Sequence, residues 1–126
     1  MERTNVSSGT EWESRVGYSR AVRVGDRVLV SGTTATDETG DVVSGGPYEQ
    51  AARALDNVVD ALAAADASVE DVVRTRLFVT DVDEWEAIGR AHSEFFGDVR
   101  PATSMVQVDR LVDPEMVVEI EAEAVV

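Results

Sequence analysis

Residues Val118 to Ala124 read VEIEAEA. Apolar residues alternate strictly with glutamates. An extended chain sends successive side chains to opposite faces. The stretch therefore predicts a strand with Val118, Ile120, Ala122 and Ala124 on one face and Glu119, Glu121 and Glu123 on the other. Same-face neighbours on a strand stand about 7 Å apart. Three carboxylates in such a row repel one another unless water, salt or a partner intervenes. The row is either a solvated face, part of an interface, or a place where one glutamate does chemistry.

Working back from this strand, Leu111 to Pro114 reads as a loop, and Pro101 opens a strand over about Ala102 to Val108. That strand can turn Thr103, Met105 and Gln107 toward the glutamates. Val72 to Thr80, VVRTRLFVT, is rich in β-branched residues and predicts another strand. Between these two, Asp83 and Glu86 have capping-box spacing, and Trp85, Ile88, His92 and Phe95 recur at helical spacing. His92 on that stripe reads as a packed or interfacial residue. A second helix starts at Pro47, whose missing N–H costs nothing in a first turn. Its stripe is Tyr48, Ala52, Leu55, Val59 and Leu62, ending near Ala65. Tyr18–Val24 and Arg27–Thr33 read as a hairpin around Gly25-Asp26, with glycine first as a type II′ turn requires. The order β-β-α-β-α-β-β predicts an α+β fold, with two helices on one face of a mixed sheet. At 126 residues the chain reads as one domain, 1–126, with the polar segment 1–14 loose. Two helices leave one sheet face uncovered. Burial of that face in an assembly is the economical reading, because Met105 and its apolar neighbours gain by it.

Composition narrows the function. Cysteine is absent, which excludes disulfides, a thiol nucleophile and a cysteine zinc site; one histidine is a poor start for a metal centre. No metal is expected. No apolar run is long enough to span a membrane and no leader pattern opens the chain, so a cytoplasmic protein is expected. Twenty-five acidic residues face 11 basic ones, all arginine, for a net charge of −14. Such a charge strains a small domain by self-repulsion. At molar salt the screening length shrinks to about 3 Å and the strain is relieved. The acidic composition therefore reads as halophilic. It also disfavours nucleic acid as a partner, since phosphate binding relies on Lys and Arg.

Three blocks carry a resemblance to a known family: GYSRAVRVGDRVLVSGT (17–33), LDNVVDALAAADASVEDVVRTRLFVTDV (55–82) and RPATSMVQVDRLVDPEMVVEIEAEA (100–124). Over nearly all of residues 16–125 the chain resembles the Rid proteins (YjgF/YER057c/UK114, reactive intermediate deaminases). The resemblance implies a chorismate-mutase-like α+β fold and a homotrimer with small-molecule sites in clefts between subunits. It implies hydrolysis of enamines and imines to carbonyl products and ammonia without a cofactor, like a 2-iminobutanoate/2-iminopropanoate deaminase. Carried over residue by residue, Tyr18 closes the site, Ser31-Gly32-Thr33 lines it, and Glu119 positions water or accepts the released ammonia.

The chain departs from the deaminase pattern where an arginine should grip the substrate carboxylate. Thr103 stands there, and threonine supplies no charged fork. Two positions on, Met105 makes the pocket more apolar, and Gly89 takes an asparagine-like position on the second helix. Arg100, beside Pro101, is a candidate replacement anchor, as are Arg74 and Arg76. Two functional readings follow. One is an enamine/imine hydrolase with Glu119 and Tyr18 catalytic and Ser31, Gly32, Thr33, Thr103, Met105 and Arg100 binding substrate. The other is a non-catalytic small-molecule-binding or regulatory trimer. A ribonuclease fits the charge poorly. The charge itself is testable by calorimetry: the melting temperature should fall as KCl is lowered from molar to tenth-molar, and an unchanged value would overturn the halophilic reading.

Overall fold

The VEIEAEA stretch lies at the centre of the molecule. The structure, a computed structural model, describes residues 1–126. In chain order its elements are β1 (Arg3–Val6), α1 (Glu11–Val16), β2 (Ala21–Val24), β3 (Arg27–Thr33), α2 (Pro47–Ala64), β4 (Val72–Val79), α3 (Trp85–Phe96), β5 (Ala102–Gln107) and β6 (Val118–Val125). The six strands form one sheet in the order β1-β2-β3-β6-β4-β5. β4 and β5 are parallel, and every other pair is antiparallel. The sheet is therefore mixed, as the pattern of elements predicts.

β6 has strand neighbours on both sides. Val30 and Thr33 of β3 oppose Ala122 and Ile120, and Thr75 and Leu77 of β4 oppose the same two residues. Directly opposed residues share a face, so the alternation of β6 is copied into both neighbours. Val118, Ile120, Ala122 and Ala124 are buried with Val28, Val30, Leu77 and Val79 under the helices. Full burial of each larger side chain contributes about 1.5–3 kcal/mol. On α2 the buried stripe is Ala51, Ala54, Leu55, Val58, Ala61 and Leu62. The expected stripe of Tyr48, Ala52 and Val59 is rotated to its flank, because the small alanines let the helix approach the sheet closely. On α3, Ile88, Ala91 and Phe96 are buried, while Trp85 is exposed.

Local details bear out some expectations and correct others. Gly25 has φ +61 and Asp26 has no positive φ, as glycine at the first position of a II′ turn requires. The helix that follows β4 is not opened by Asp83. Instead Asp81 accepts from the Asp83 amide in a 3₁₀ turn, Val82–Glu84, that precedes α3. Residues 1–14, expected to be loose, are ordered into β1 and most of α1. β1 pairs with β2 from Arg3↔Val24 to Val6↔Ala21. The buried Glu13 carboxylate collects Ser8 and Thr10 as donors, drawing the segment onto the body. A polar edge strand carries no apolar alternation by which a sequence could announce it.

The largest correction concerns β5. Its register opposes Thr103 to Thr75, Met105 to Leu77 and Gln107 to Val79. These three therefore lie on the helix side of the sheet. The open side carries Ala102, Ser104 and Val106 beside Arg74, Arg76 and Phe78.

Candidate active site

Glu119 stands on the open face, between β3 and β4. On the β3 side the ladder shifts between Val30 and Thr33, leaving Ser31 and Gly32 in an irregular step across from Glu121, two residues along from Glu119. Such irregularities locally break pairing and re-aim side chains. On the β4 side it opposes Phe78. Its carboxylate lies across Gly32: a Cβ built on Gly32 would stand 2.2 Å from Glu119 Oε2. Gly32 is not among the glycines with positive φ. It serves by having no side chain rather than by any special backbone conformation. Burial raises the Glu119 pKa above the ordinary 4.5, with nearby Glu121 adding to the rise and Arg20 opposing it. A carboxyl moved in that direction is better suited to give and take protons.

Tyr18 and Ser31 line a groove on the β1–β2 side of Gly32. α1 ends at Gly17, whose φ of +90 turns the chain so that its amide and that of Tyr18 both reach the Glu13 carbonyl, at 2.9 and 3.0 Å. Tyr18 is thereby presented at the surface. Ser31 donates its hydroxyl to the Ser19 carbonyl at 2.6 Å. A groove of about 550 Å³ runs over Arg3, Asn5, Ser14, Tyr18, Ser19 and Ser31. Arg20 lies beside it. Its Nη2 donates to the Gly32 carbonyl at 2.5 Å, and its guanidinium carbon is 5.8 Å from the centre of the Tyr18 ring.

The other glutamates of β6 are held differently. Arg76 reaches Glu121 at 3.6 Å and Glu123 at 3.7 Å, Arg74 reaches Glu123 at 3.8 Å, and Arg27 reaches Glu123 at 3.7 Å. Glu121 and Glu123 thus belong to a cross-strand ion network, and Arg74 and Arg76 are engaged there rather than at Glu119. Glu119 takes part in no ion pair.

Within one chain the sequence-derived residues fall into separate groups. Tyr18, Ser31, Gly32 and Glu119 share the open face. Thr33 is buried on the helix side, with its hydroxyl on the Ser31 carbonyl at 2.7 Å. Thr103 and Met105 also lie on the helix side, and Met105 packs against the core. Arg100 sits in the turn before β5 with φ +56 and is exposed. Gly89 on α3 has nothing within 4 Å of a built Cβ. His92 is a packed residue. Its Nε2 is 2.9 Å from the buried Thr75 hydroxyl, which is 2.8 Å from the Thr103 hydroxyl, which in turn donates to the Pro101 carbonyl at 3.1 Å. The chain closes when His92 carries its proton on Nε2 and donates to Thr75. Burial lowers the His92 pKa, which keeps the ring neutral at pH 7. No three His, Asp or Glu side chains converge to hold a metal ion, and no helix is long and apolar enough to cross a membrane.

An open-faced mixed sheet backed by two helices, with a half-buried carboxylate over a glycine, defines an α+β domain with one sheet face uncovered. The model of the Endoribonuclease L-PSP family matches residues 9–126. A crystal structure of a YjgF/YER057c/UK114 family member from Mycobacterium tuberculosis superposes with a TM-score of 0.92 at 48% identity, covering 99% of this chain and 100% of that one. An uncharacterized protein of Streptomyces coelicolor is 42% identical over 121 residues, 94% of this chain and 89% of that protein. The human 2-iminobutanoate/2-iminopropanoate deaminase is 33% identical over 109 residues, 86% of this chain and 79% of that protein. The chain belongs to the Endoribonuclease L-PSP, or YjgF/YER057c/UK114, family.

The raised Glu119 pKa sets a pH dependence. Protonated Glu119 stabilises the fold; that contribution is complete below the ordinary value of 4.5 and is lost as pH rises through the raised one. Glu119→Gln keeps the neutral form at every pH. It should melt higher than wild type at pH 7, and the gain should shrink to nothing on acidification. A variant that is less stable at pH 7 would show that Glu119 is held as a favourable carboxylate.

Proposed function

We propose that this protein hydrolyses a small enamine or imine to a carbonyl compound and ammonia, with Glu119 as the proton shuttle. The observation that carries the reading is Glu119 itself. It is half-buried and laid over Gly32 on the open face, with its pKa raised. An enamine first takes a proton on carbon to become an iminium ion. Water then adds to the iminium carbon, and a base must take the extra proton from that water. The nitrogen of the tetrahedral adduct must next be protonated so that the C–N bond breaks and ammonia leaves. One carboxyl of raised pKa serves both transfers. The Tyr18 hydroxyl can orient the adduct, and Ser31 and Gly32 form the floor. Kinship with the human deaminase supports this reaction class.

The site is completed, in this proposal, by homotrimer formation. The open face carries Leu29 and Val106, 42% and 47% exposed, beside Phe78. An apolar set interleaved with paired charges suits a subunit interface. The cleft at a neighbouring subunit would supply the second wall, with Thr103 on the exposed edge strand β5 a candidate to line it. One observation favours the alternative of a binding or regulatory trimer without turnover. Thr103 is tied into the Thr75–His92 chain and brings no charge to a substrate. Nucleic acid remains a poor partner, because Arg27, Arg74 and Arg76 on this face are already matched by Glu121 and Glu123.

The test is release of ammonia and keto acid from 2-aminoacrylate, generated in place, in molar KCl. Wild type should accelerate release, and Glu119→Ala should lose about 10²–10⁴-fold, the usual worth of a positioned acid–base group. Wild-type acceleration that survives in Glu119→Ala would remove Glu119 from the mechanism. No acceleration by wild type would leave the binding protein. Light scattering on the same samples should give three times the 13.6 kDa chain mass, and a monomer would sink the inter-subunit site.

A further inference from the structure

His92, Thr75 and Thr103 form a line of hydrogen bonds that leads from α3 across β4 to the β5 edge of the sheet. His92 Nε2 is 2.9 Å from the Thr75 hydroxyl, and that hydroxyl is 2.8 Å from the Thr103 hydroxyl. Thr103 in turn reaches the Pro101 carbonyl at 3.1 Å. Each threonine has one proton to give, and a carbonyl has none. The Pro101 carbonyl therefore takes the Thr103 proton, the Thr103 oxygen takes the Thr75 proton, and the Thr75 oxygen takes a proton from His92 Nε2. This order satisfies all three contacts. The reverse order, with Thr103 donating inward, ends on an unprotonated Nε2 and leaves the Pro101 carbonyl without this donor. Thr75 is fully buried, so its proton has no partner outside the line. The His92 ring packs against Phe96, with 4.8 Å between ring centres, which fixes the start of the line.

We infer that Thr103 is a specificity residue that meets the ligand only as a hydrogen-bond acceptor, and that the ligand group facing it carries an N–H or O–H. The inference rests on the inter-subunit cleft proposed above for its place, and not on the reaction. Thr103 is exposed on the edge strand β5. A hydroxyl oxygen has two lone pairs, and a free hydroxyl rotates to serve donors and acceptors alike. This one is not free. Its hydrogen is committed to Pro101 and one lone pair to Thr75, so an incoming group finds a single lone pair. A carboxylate only accepts, and would set its own lone pairs against that one. An amide, an amine, an alcohol or a protonated imine can donate. The neighbours on the same side of the sheet do not reverse the choice. Thr75 is spent within the line, and Met105 packs against the core and brings no donor. The net charge of −14 adds a long-range bias against anions. The ligand class selected at β5 is therefore a neutral or cationic compound that offers a donor, and the selection is made by the direction of a proton row that begins at His92.

His92 is the single histidine of the chain, so nitrogen NMR of the labelled imidazole reads the proton order directly. In the full chain in molar KCl the ring should carry its proton on Nε2, and a neutral ring protonated on Nδ1 would overturn the inference. The ligand side is tested by titrating three probes: pyruvamide, which donates through its amide, methyl pyruvate, which has no donor, and pyruvate. Wild type should bind pyruvamide about 5-fold more tightly than methyl pyruvate, the scale of one neutral hydrogen bond, and pyruvate no better than the ester. Thr103→Ser keeps the hydroxyl and should keep the preference. Thr103→Val keeps the shape, loses the oxygen and should abolish it. Melting curves and light scattering on each variant establish that it folds and assembles. A threonine that only braces β5 would leave the ratio of the two neutral probes unchanged in Thr103→Val, and that result overturns the inference. So does a wild type that binds no probe, shows no preference, or prefers pyruvate, the last handing the position to Arg100, exposed in the preceding turn. Turnover separates the two claims. A Thr103-dependent preference without hydrolysis of 2-aminoacrylate sinks the enzyme and keeps the acceptor. Hydrolysis with no such preference, and with a KM unmoved in Thr103→Val, keeps the enzyme and sinks the acceptor.

Discussion

The double pairing of β6 is the constraint on which the rest of the molecule depends. A strand with neighbours on both sides has no freedom to slip, because a one-residue shift would turn every glutamate into the core. Three carboxylates under α2 and α3 could not be solvated there. The helices therefore settle on the apolar face, and their polar side chains hold the ends of the central strands. Gln50 of α2 donates to the Glu115 carbonyl at 2.8 Å and accepts from the Val117 amide at 3.0 Å, which fixes the entry to β6. Asn57 donates to the carbonyls of Thr34 and Thr36 at 3.0 and 2.9 Å, which fixes the exit from β3. Both strands that carry the candidate site are thus held from the far side of the sheet.

That arrangement explains why one glutamate of the row differs from its neighbours. Glu121 and Glu123 lie opposite Arg76 and Arg74 on β4 and find cations within 4 Å. Such half-exposed pairs are individually weak, and their worth here is in relieving repulsion within the row. Glu119 lies one step further along, where β4 offers Phe78 and β3 offers Gly32. The neighbours are an aromatic ring and a bare backbone, so the carboxylate is partly stripped of water without receiving an ion pair. Proteins commonly accept such a local cost where a group must react.

Much of this was legible in the sequence. The alternation of 118–124 fixes the inner and outer sets, and the boundaries of Arg27–Thr33 follow from its hairpin turn. Glu119 is marked by family resemblance, and the structure lays its carboxylate over Gly32. What was not legible depended on parity or on contacts distant in sequence. In ATSMVQ either alternate set could face the core, and only the parallel register with β4 decides that Thr103 goes inward. β1 has Val6 as its one apolar residue, packed against the core, and is otherwise recruited mainly by backbone pairing. Arg20 belongs to no motif, and only a weak pattern marks it. In the stretch Tyr18 to Val22 the alternate residues 18, 20 and 22 share a side if β2 is extended backward, and Tyr18 was already assigned to the site.

The arginines divide into two kinds once the faces are known. Arg27, Arg74 and Arg76 are matched by carboxylates, and their charge is spent within the sheet. Arg20 is held by a carbonyl, which accepts a hydrogen bond without cancelling a charge. On a chain with more than twice as many acidic as basic residues, a carboxylate partner is the easiest thing for an arginine to find. An arginine kept from one, at the foot of a half-buried glutamate, keeps its field directed at the open face. Gly32 makes this possible twice over: its missing side chain gives Glu119 room, and its carbonyl holds Arg20 in place. The positions of Glu119 and Arg20 therefore both depend on one residue. A change at Gly32 would disturb the placement of both side chains together, whereas a change at either side chain would disturb only one.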